Sequence, residues 1–173
     1  MPHKWVFPGG RIDRADYAAP VARGLQPDVE AALAATARLK RQDGAKLARA
    51  LAVTAVRETF EETGLVVGSL ADGRVQADLG GLALVARAIT PPSRHKRFDA
   101  RFLLGDAAAL ASLEPTDSRE LGEVAWFSLA ECMALDLPTV TRAVLEVVSD
   151  RLRGVPREVP FWRWVRGRAD SAL

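Results

Sequence analysis

Apolar and polar positions change their period several times along this chain, and the changes mark its elements. Residues 4–7, Lys-Trp-Val-Phe, form a short β-type run cut off by Pro8-Gly9-Gly10, which predicts a strand ending in a sharp turn with exposed backbone. An alanine-rich polar stretch follows, in which Asp28 stands as the cap of a helix reaching about Arg41, closed by Gln42-Asp43-Gly44. This segment reads as an inserted hairpin or lid. A helical period returns over 45–63; Gly64 supplies the left-handed residue that ends it, and Leu65-Val66-Val67 opens a strand. Residues 82–89 and 98–104 predict a hairpin across a basic, proline-containing loop at 90–97. Residues 124–127 predict a third short strand. Ser128 and Glu131 have capping-box spacing for a small helix, and Pro138 opens a last helix to about Leu152. The tail after Gly154-Val155-Pro156 mixes aromatic and basic residues. This alternation predicts an α/β class, a mixed sheet with helices packed on it.

The two faces of the helix over 45–63 differ in chemistry. At about 100° of rotation per residue, Val53, Val56 and Phe60 fall within roughly 60° of one another and form an apolar stripe. Glu58, Glu61 and Glu62 project from nearly the opposite side, within about 100°. A solvated acidic face is the ordinary reading of such a cluster. Three points weigh against it. Like charges at these spacings cost about 0.2–0.5 kcal/mol per pair, and the helix dipole disfavours them near a C-terminus. A hard cation such as Mg²⁺ is held by few carboxylates, with water and phosphate completing its shell. Finally, the Pro8-Gly9-Gly10 turn offers backbone carbonyls, a further ligand type for such ions.

Composition narrows the setting. At 173 residues, 49% hydrophobic and 27% charged, the chain is long enough for one domain with a proper core. A formal charge of only +2 gives no global field for nucleic acid or membrane, so charge must act locally. Cys132 is the only cysteine, and His3 and His95 the only histidines, so neither an internal disulfide nor a Cys/His zinc cage can form. A reducing cytoplasm is expected. No apolar run is long enough to span a bilayer, and no basic-then-apolar leader follows Met1.

Gly10, then Arg57-Glu58-Thr59-Phe60-Glu61-Glu62-Thr63-Gly64-Leu65, resembles the signature of the Nudix hydrolases. That signature is a Gly, a spacer containing a Glu, then Arg-Glu-aliphatic-any-Glu-Glu-any-Gly-aliphatic; Thr59 is its one mild departure here. The resemblance implies an α/β/α sandwich with a mixed sheet and a truncated first strand. It also implies a helical insertion within the motif at about 14–44 and a C-terminal tail at about 153–173. The implied activity is hydrolysis of a nucleoside diphosphate linked to another group X, with Mg²⁺ or Mn²⁺. Glu58, Glu61 and Glu62 match the family's metal-binding glutamates, Glu62 being the position central to the metal and to the attacking water. Arg57 matches the arginine that pairs with a carboxylate, and Gly9 a position whose carbonyl can join the metal shell.

Two departures stand out. The spacer from Gly10 to Arg57 is far longer than the signature's, and the position of its Glu, eight before the arginine, is occupied by Arg49. Asp13 or Asp16 is then the candidate partner for Arg57, unless both are solvated turn residues. The stretch FPGGRIDRAD with its long insertion also resembles a branch related to the coenzyme A diphosphatases, whose additional signature would precede the turn. Because the family sheet has a strand before Lys4, Met1 is expected to be an internal start, with that strand missing or supplied by a second copy in a homodimer.

The chemistry so implied is attack by metal-activated water on one phosphorus of a P–O–P linkage in a small-molecule substrate. A further carboxylate from a later loop would serve as general base; among Glu114, Asp117, Glu120 and Glu123, Glu120 is the choice. Arg94, Lys96 and Arg97, and Arg101, expected to face outward, are candidates for gripping substrate phosphates, although basic loops are often simply solvated. Trp5 and Phe7 read as core, with base stacking as the alternative; Trp126, Trp162 and Trp164 read as packing or a subunit contact. Cys132 reads as a small buried apolar residue. Two rival readings remain: a Nudix-like nucleotide sensor without turnover, and an unrelated α/β interaction protein with a solvated acidic face.

Overall fold

Helix α2 (Gly44–Thr63) runs between two signals written in the sequence. The Asp43 side chain accepts from the Lys46 N–H at its start, and Gly64, at φ 73°, ends it with an N–H on the Phe60 carbonyl at 2.8 Å. The apolar stripe is buried, Val53 at 4% and Val56 at 2% exposure. Helix α2 packs on α1 (Pro27–Ala34), whose Leu33 is fully buried. The computed structural model describes residues 4–37, 43–93, 96–115, 123–165 and 168–172, with the backbone alone for 164, 165 and 168–172.

Two compact units, interleaved along the sequence, make up the chain. One spans Pro8–Ala83 and Gly105–Trp126 and holds α1, α2 and a three-stranded sheet. In that sheet β1 (Val21–Arg23) lies beside β3 (Arg74–Asp78), which lies beside β2 (Gly68–Ala71). Strands β2 and β3 form an antiparallel hairpin, Gly68 opposite Ala77 and Ala71 opposite Arg74, turned by Asp72-Gly73, both at positive φ. Strand β1 joins β3 in parallel, Val21 opposite Ala77.

The other unit holds the chain up to Phe7, Leu84–Leu104 and everything from Phe127 on. Its sheet runs β5 (Asp99–Leu104), β4 (Ala83–Ile89), β6 (Phe161–Val165), β7 (Arg168–Ala172), with β6 parallel to β4 and antiparallel to β7. Helix α4 (Thr139–Leu152) lays Val144, Val147 and Val148 on Val85 and Ala86, and Phe102, Leu104 and Trp162 close the cluster. The short α3 (Leu129–Ala134) is opened by the reciprocal Ser128 and Glu131 capping box that the spacing predicts.

The mixed α/β class is as expected, but several elements differ. Residues 4–7 and 124–127 form no strand. Their rings meet instead: Trp5 touches Phe127 edge-on at 4.8 Å and Phe7, itself 39% exposed and so no core residue, touches Phe102 at 6.2 Å, so the apolar pattern records ring contacts and not a ladder. Gln26, not Asp28, caps α1, because Pro27 takes the first helical position; Asp28 lies in the first turn. The strand expected from Leu65 begins at Gly68, Val67 making only an isolated bridge to Leu110. Pro138 caps α4 instead of opening it. The tail supplies β6 and β7. Among the described residues no helix is long and apolar enough to cross a membrane.

Candidate functional site

The acidic end of α2 meets the glycine turn. The Gly9 N–H donates to Glu62 Oε2 at 3.0 Å, and the Glu58 carboxylate fills the space beside Gly10 where a Cβ would stand. Only glycine allows that approach. Two of the three glutamates thus face the bend, although the loop between the motif's halves is long. The Glu58 side chain is 14% exposed. Glu61, 53% exposed, turns to Arg57 Nη1 at 2.7 Å.

Arg57 is the centre of the arrangement. Its Nε donates to Asp16 Oδ1 at 2.9 Å and its Nη2 to Asp16 Oδ2 at 3.1 Å and to the Arg11 carbonyl at 3.0 Å. Its Nη1 stands 2.9 Å from Glu58 Oε1 as well as against Glu61. The guanidinium's five N–H groups therefore all have acceptors in the protein. Of the two aspartates, Asp16 is the partner; Asp13 caps the 3-10 turn Arg14–Tyr17.

Asp16 is 1% exposed and also accepts from Thr54 Oγ1 at 2.8 Å and the Asp13 N–H at 2.8 Å. Burial alone would raise its pKa, but the bonds from Arg57, Asp13 and Thr54 and the Arg57 charge outweigh it and hold the carboxyl below its ordinary value. The bond to Asp16 first, and the pair with Glu58 after it, push the Arg57 pKa up against the opposing effect of burial, so it stays charged.

Arg49, where the signature has a glutamate, points away from Arg57. It donates to the carbonyls of Asp16 at 3.4 Å, Tyr17 at 3.0 Å and Ala19, holding the chain after the 3-10 turn on the helix. Neither Arg49 nor Thr54 stood out as a contributor from sequence. The Asp13-x-x-Asp16 spacing, a capping box in the structure, was the available signal for an ordered turn there.

Among the described residues no group of three His, Cys, Asp or Glu side chains stands ready to hold a metal ion by itself. The phosphate-binding candidates belong to the other unit. Lys96 and Arg97 are exposed, whereas Arg101 does not face outward: it is 10% exposed, its Nη1 on the Asp99 carbonyl at 2.6 Å, and Asp99 also takes a bidentate pair from Arg87 at 2.9 Å. Glu114 and Glu123 are exposed; Arg94, His95, Asp117 and Glu120 lie outside the described residues, as does the Trp164 side chain. Trp126 is 55% exposed, its indole N–H on the Leu113 carbonyl, and so is no core residue. Cys132 is half-buried, with a thiol pKa raised by burial and by Glu131, which makes it a poor nucleophile.

No protein-family model and no curated protein matches the chain. Among solved structures it is similar to a Nudix hydrolase from Alicyclobacillus acidocaldarius, with TM-score 0.57 and 25% identity over 86% of this chain and 77% of that one. The fold is that of a Nudix hydrolase. In this Nudix fold the second half of the signature forms the last two turns of α2, and its leading Gly10 lies against Glu58. The glycine turn and the end of α2, 53 positions apart at Gly9 and Glu62, are thus brought together in space.

Proposed function

We propose that this Nudix chain hydrolyses the P–O–P linkage of a nucleoside diphosphate joined to a further group X, with Mg²⁺ or Mn²⁺ as cofactor. One observation carries the reading: Glu58 and Glu62 both meet the Gly9-Gly10 bend while Arg57 restrains Glu58 and Glu61. The donor set fits. A hard cation of this size takes one or two carboxylates and leaves its remaining positions to water and phosphate, so a closed protein cage is not required. Glu58, Glu61 and Glu62, with the Gly9 carbonyl, would hold it. When bound, the ion neutralises phosphate oxygens and acidifies a water molecule.

The protein's own part is orientation. Glu62 aligns the water with the phosphorus; the new P–O bond forms opposite the bridging oxygen, which leaves with the other phosphate. Arg57, with every donor engaged by the protein, holds carboxylates and does not touch substrate. The water's proton passes to a carboxylate, for which Glu120 remains our proposal, and Lys96 and Arg97 are proposed to grip a substrate phosphate. A catalytically weak sensor is the reading that a missing spacer glutamate favours; Asp16 beside Arg57 argues against it, because the arginine keeps a carboxylate partner.

The test is a panel of nucleotide sugars, dinucleotides and coenzyme A, each with Mg²⁺ and with Mn²⁺, comparing the native chain with Glu62→Gln. Release of a nucleoside monophosphate or phosphate that Glu62→Gln abolishes supports the hydrolase. Metal binding with no turnover across the panel would overturn it in favour of the sensor.

A further inference from the structure

We infer that Asp16 is the positioning residue for Arg57, replacing the carboxylate that the signature carries at position 49, and that Arg49 has become the anchor that brings Asp16 there. The inference rests on the hydrolase reading for its catalytic consequence. Helix α2 is continuous from Gly44, so residues 49 and 57 are separated by about 12 Å of helical rise, beyond the reach of neighbours at i,i+4. A carboxylate at 49 could not grip Arg57 on this helix. The partner has to arrive from another segment, and the 3-10 turn Arg14–Tyr17 delivers it.

The exchange of charge is complete on both sides. Arg49 spends its donors on the carbonyls of Asp16, Tyr17 and Ala19, groups left over where the short turn ends. Asp16 takes the Nε and Nη2 edge of Arg57 in a bidentate grip that fixes the plane of the guanidinium. Fixing that plane fixes Nη1, the atom that meets Glu58 and Glu61. Asp16 therefore acts on the acidic cluster through Arg57, and residues 11–19 are part of the site's scaffold.

Three variants test this: Asp16→Asn, Thr54→Val, which removes a bond to the same carboxylate without touching Arg57, and Arg49→Met, which removes the anchor and keeps the carboxylate. The readouts are the exchange-protected Nε–H nuclear magnetic resonance signal of Arg57, assigned through Arg57→Lys, the Mn²⁺ affinity, and kcat and KM for the diphosphate that the panel identifies. Asp16→Asn should lose the protected signal and drop kcat about 100-fold with KM changed less than about threefold. Thr54→Val should melt earlier yet keep the signal and most of kcat. Arg49→Met should fall between them, and serves alone if Asp16→Asn does not fold. Asp16→Asn with Arg57→Lys should be no worse than Arg57→Lys. An unchanged Arg57 signal in Asp16→Asn or in Arg49→Met, or activity losses that merely track melting temperature across the three, overturns the inference. If the native chain hydrolyses nothing, the hydrolase reading fails by itself, while the Arg57 signal and Mn²⁺ affinity still decide whether Asp16 positions the arginine.

Discussion

The backbone N–H of Gly9 donates to Glu62 Oε2 at 3.0 Å, a contact between residues 53 positions apart that ties the glycine turn to the end of α2. Glutamine at 62 keeps an acceptor for that N–H but loses the negative charge. Glu62→Gln should therefore leave the melting temperature within a few degrees and cut kcat by about 100-fold or more. Steady-state kinetics beside a thermal melt separate the two, and a variant that loses stability and activity together would deny Glu62 its role.

Gly10→Ala places a methyl group where the Glu58 carboxylate stands. The carboxylate is the far end of a flexible side chain, so it should move aside without unfolding the protein. Calorimetric titration with Mn²⁺ should then show affinity weakened by about tenfold. Unaltered affinity would mean that Glu58 contributes nothing to the ion.

In the other unit, Asp99 at 16% exposure is shared by Arg87 and Arg101. Arg87 also lies over the Phe161 ring at 4.4 Å, so the same pair helps to seat β6 on β4. Asp99→Asn leaves two poorly hydrated guanidinium groups without their counter-charge. Urea unfolding should report a loss of about 2–4 kcal/mol, and a loss below 0.5 kcal/mol would show that the pair behaves like a surface ion pair.

Stability should fall in acid, and the sign follows from two carboxylates. Asp16 sits below its ordinary pKa for the reasons given above, and Asp78 is lowered by its bonds from Arg23 first and the Gly80 N–H after. Below about pH 4 the unfolded chain binds protons that the folded chain refuses, so stability rises with pH there. The contribution is complete above that range and disappears as pH falls through the folded values. Melting temperatures followed downward from pH 6 should drop steeply below about pH 4, less steeply for Asp78→Asn; identical slopes would contradict the assignment.

What the sequence made legible is what local chemistry settles. Gly64 ends α2 and Ser128 with Glu131 opens α3 as spacing predicts, because a cap is decided within one turn. The β2–β3 hairpin was missed although Asp72-Gly73 is a strong two-residue turn signal; flanking Leu70, Ala71, Arg74 and Val75 show too little alternation to draw attention. Phe161-Trp162-Arg163 read as a tail because only β4, far away in sequence, gives that run its partner. The acidic cluster was visible as a pattern, whereas the choice of Asp16 over Asp13 was not. That choice depends on Thr54 and Arg57 converging from another segment, a tertiary fact.

The bidentate pair of Arg23 with Asp78, at 2.8 and 2.9 Å, fastens the last residue of β1 to the last residue of β3. Chain upstream of this rivet is held at the arginine of the motif; chain downstream, up to the helix start, is relieved of that duty. Lengthening a loop costs only about 0.6 kcal/mol per doubling, so relatives should differ freely in size between residues 37 and 43, past α1, whose Val29 and Leu33 are buried. Between 11 and 19 the same change would be felt at once by Arg57.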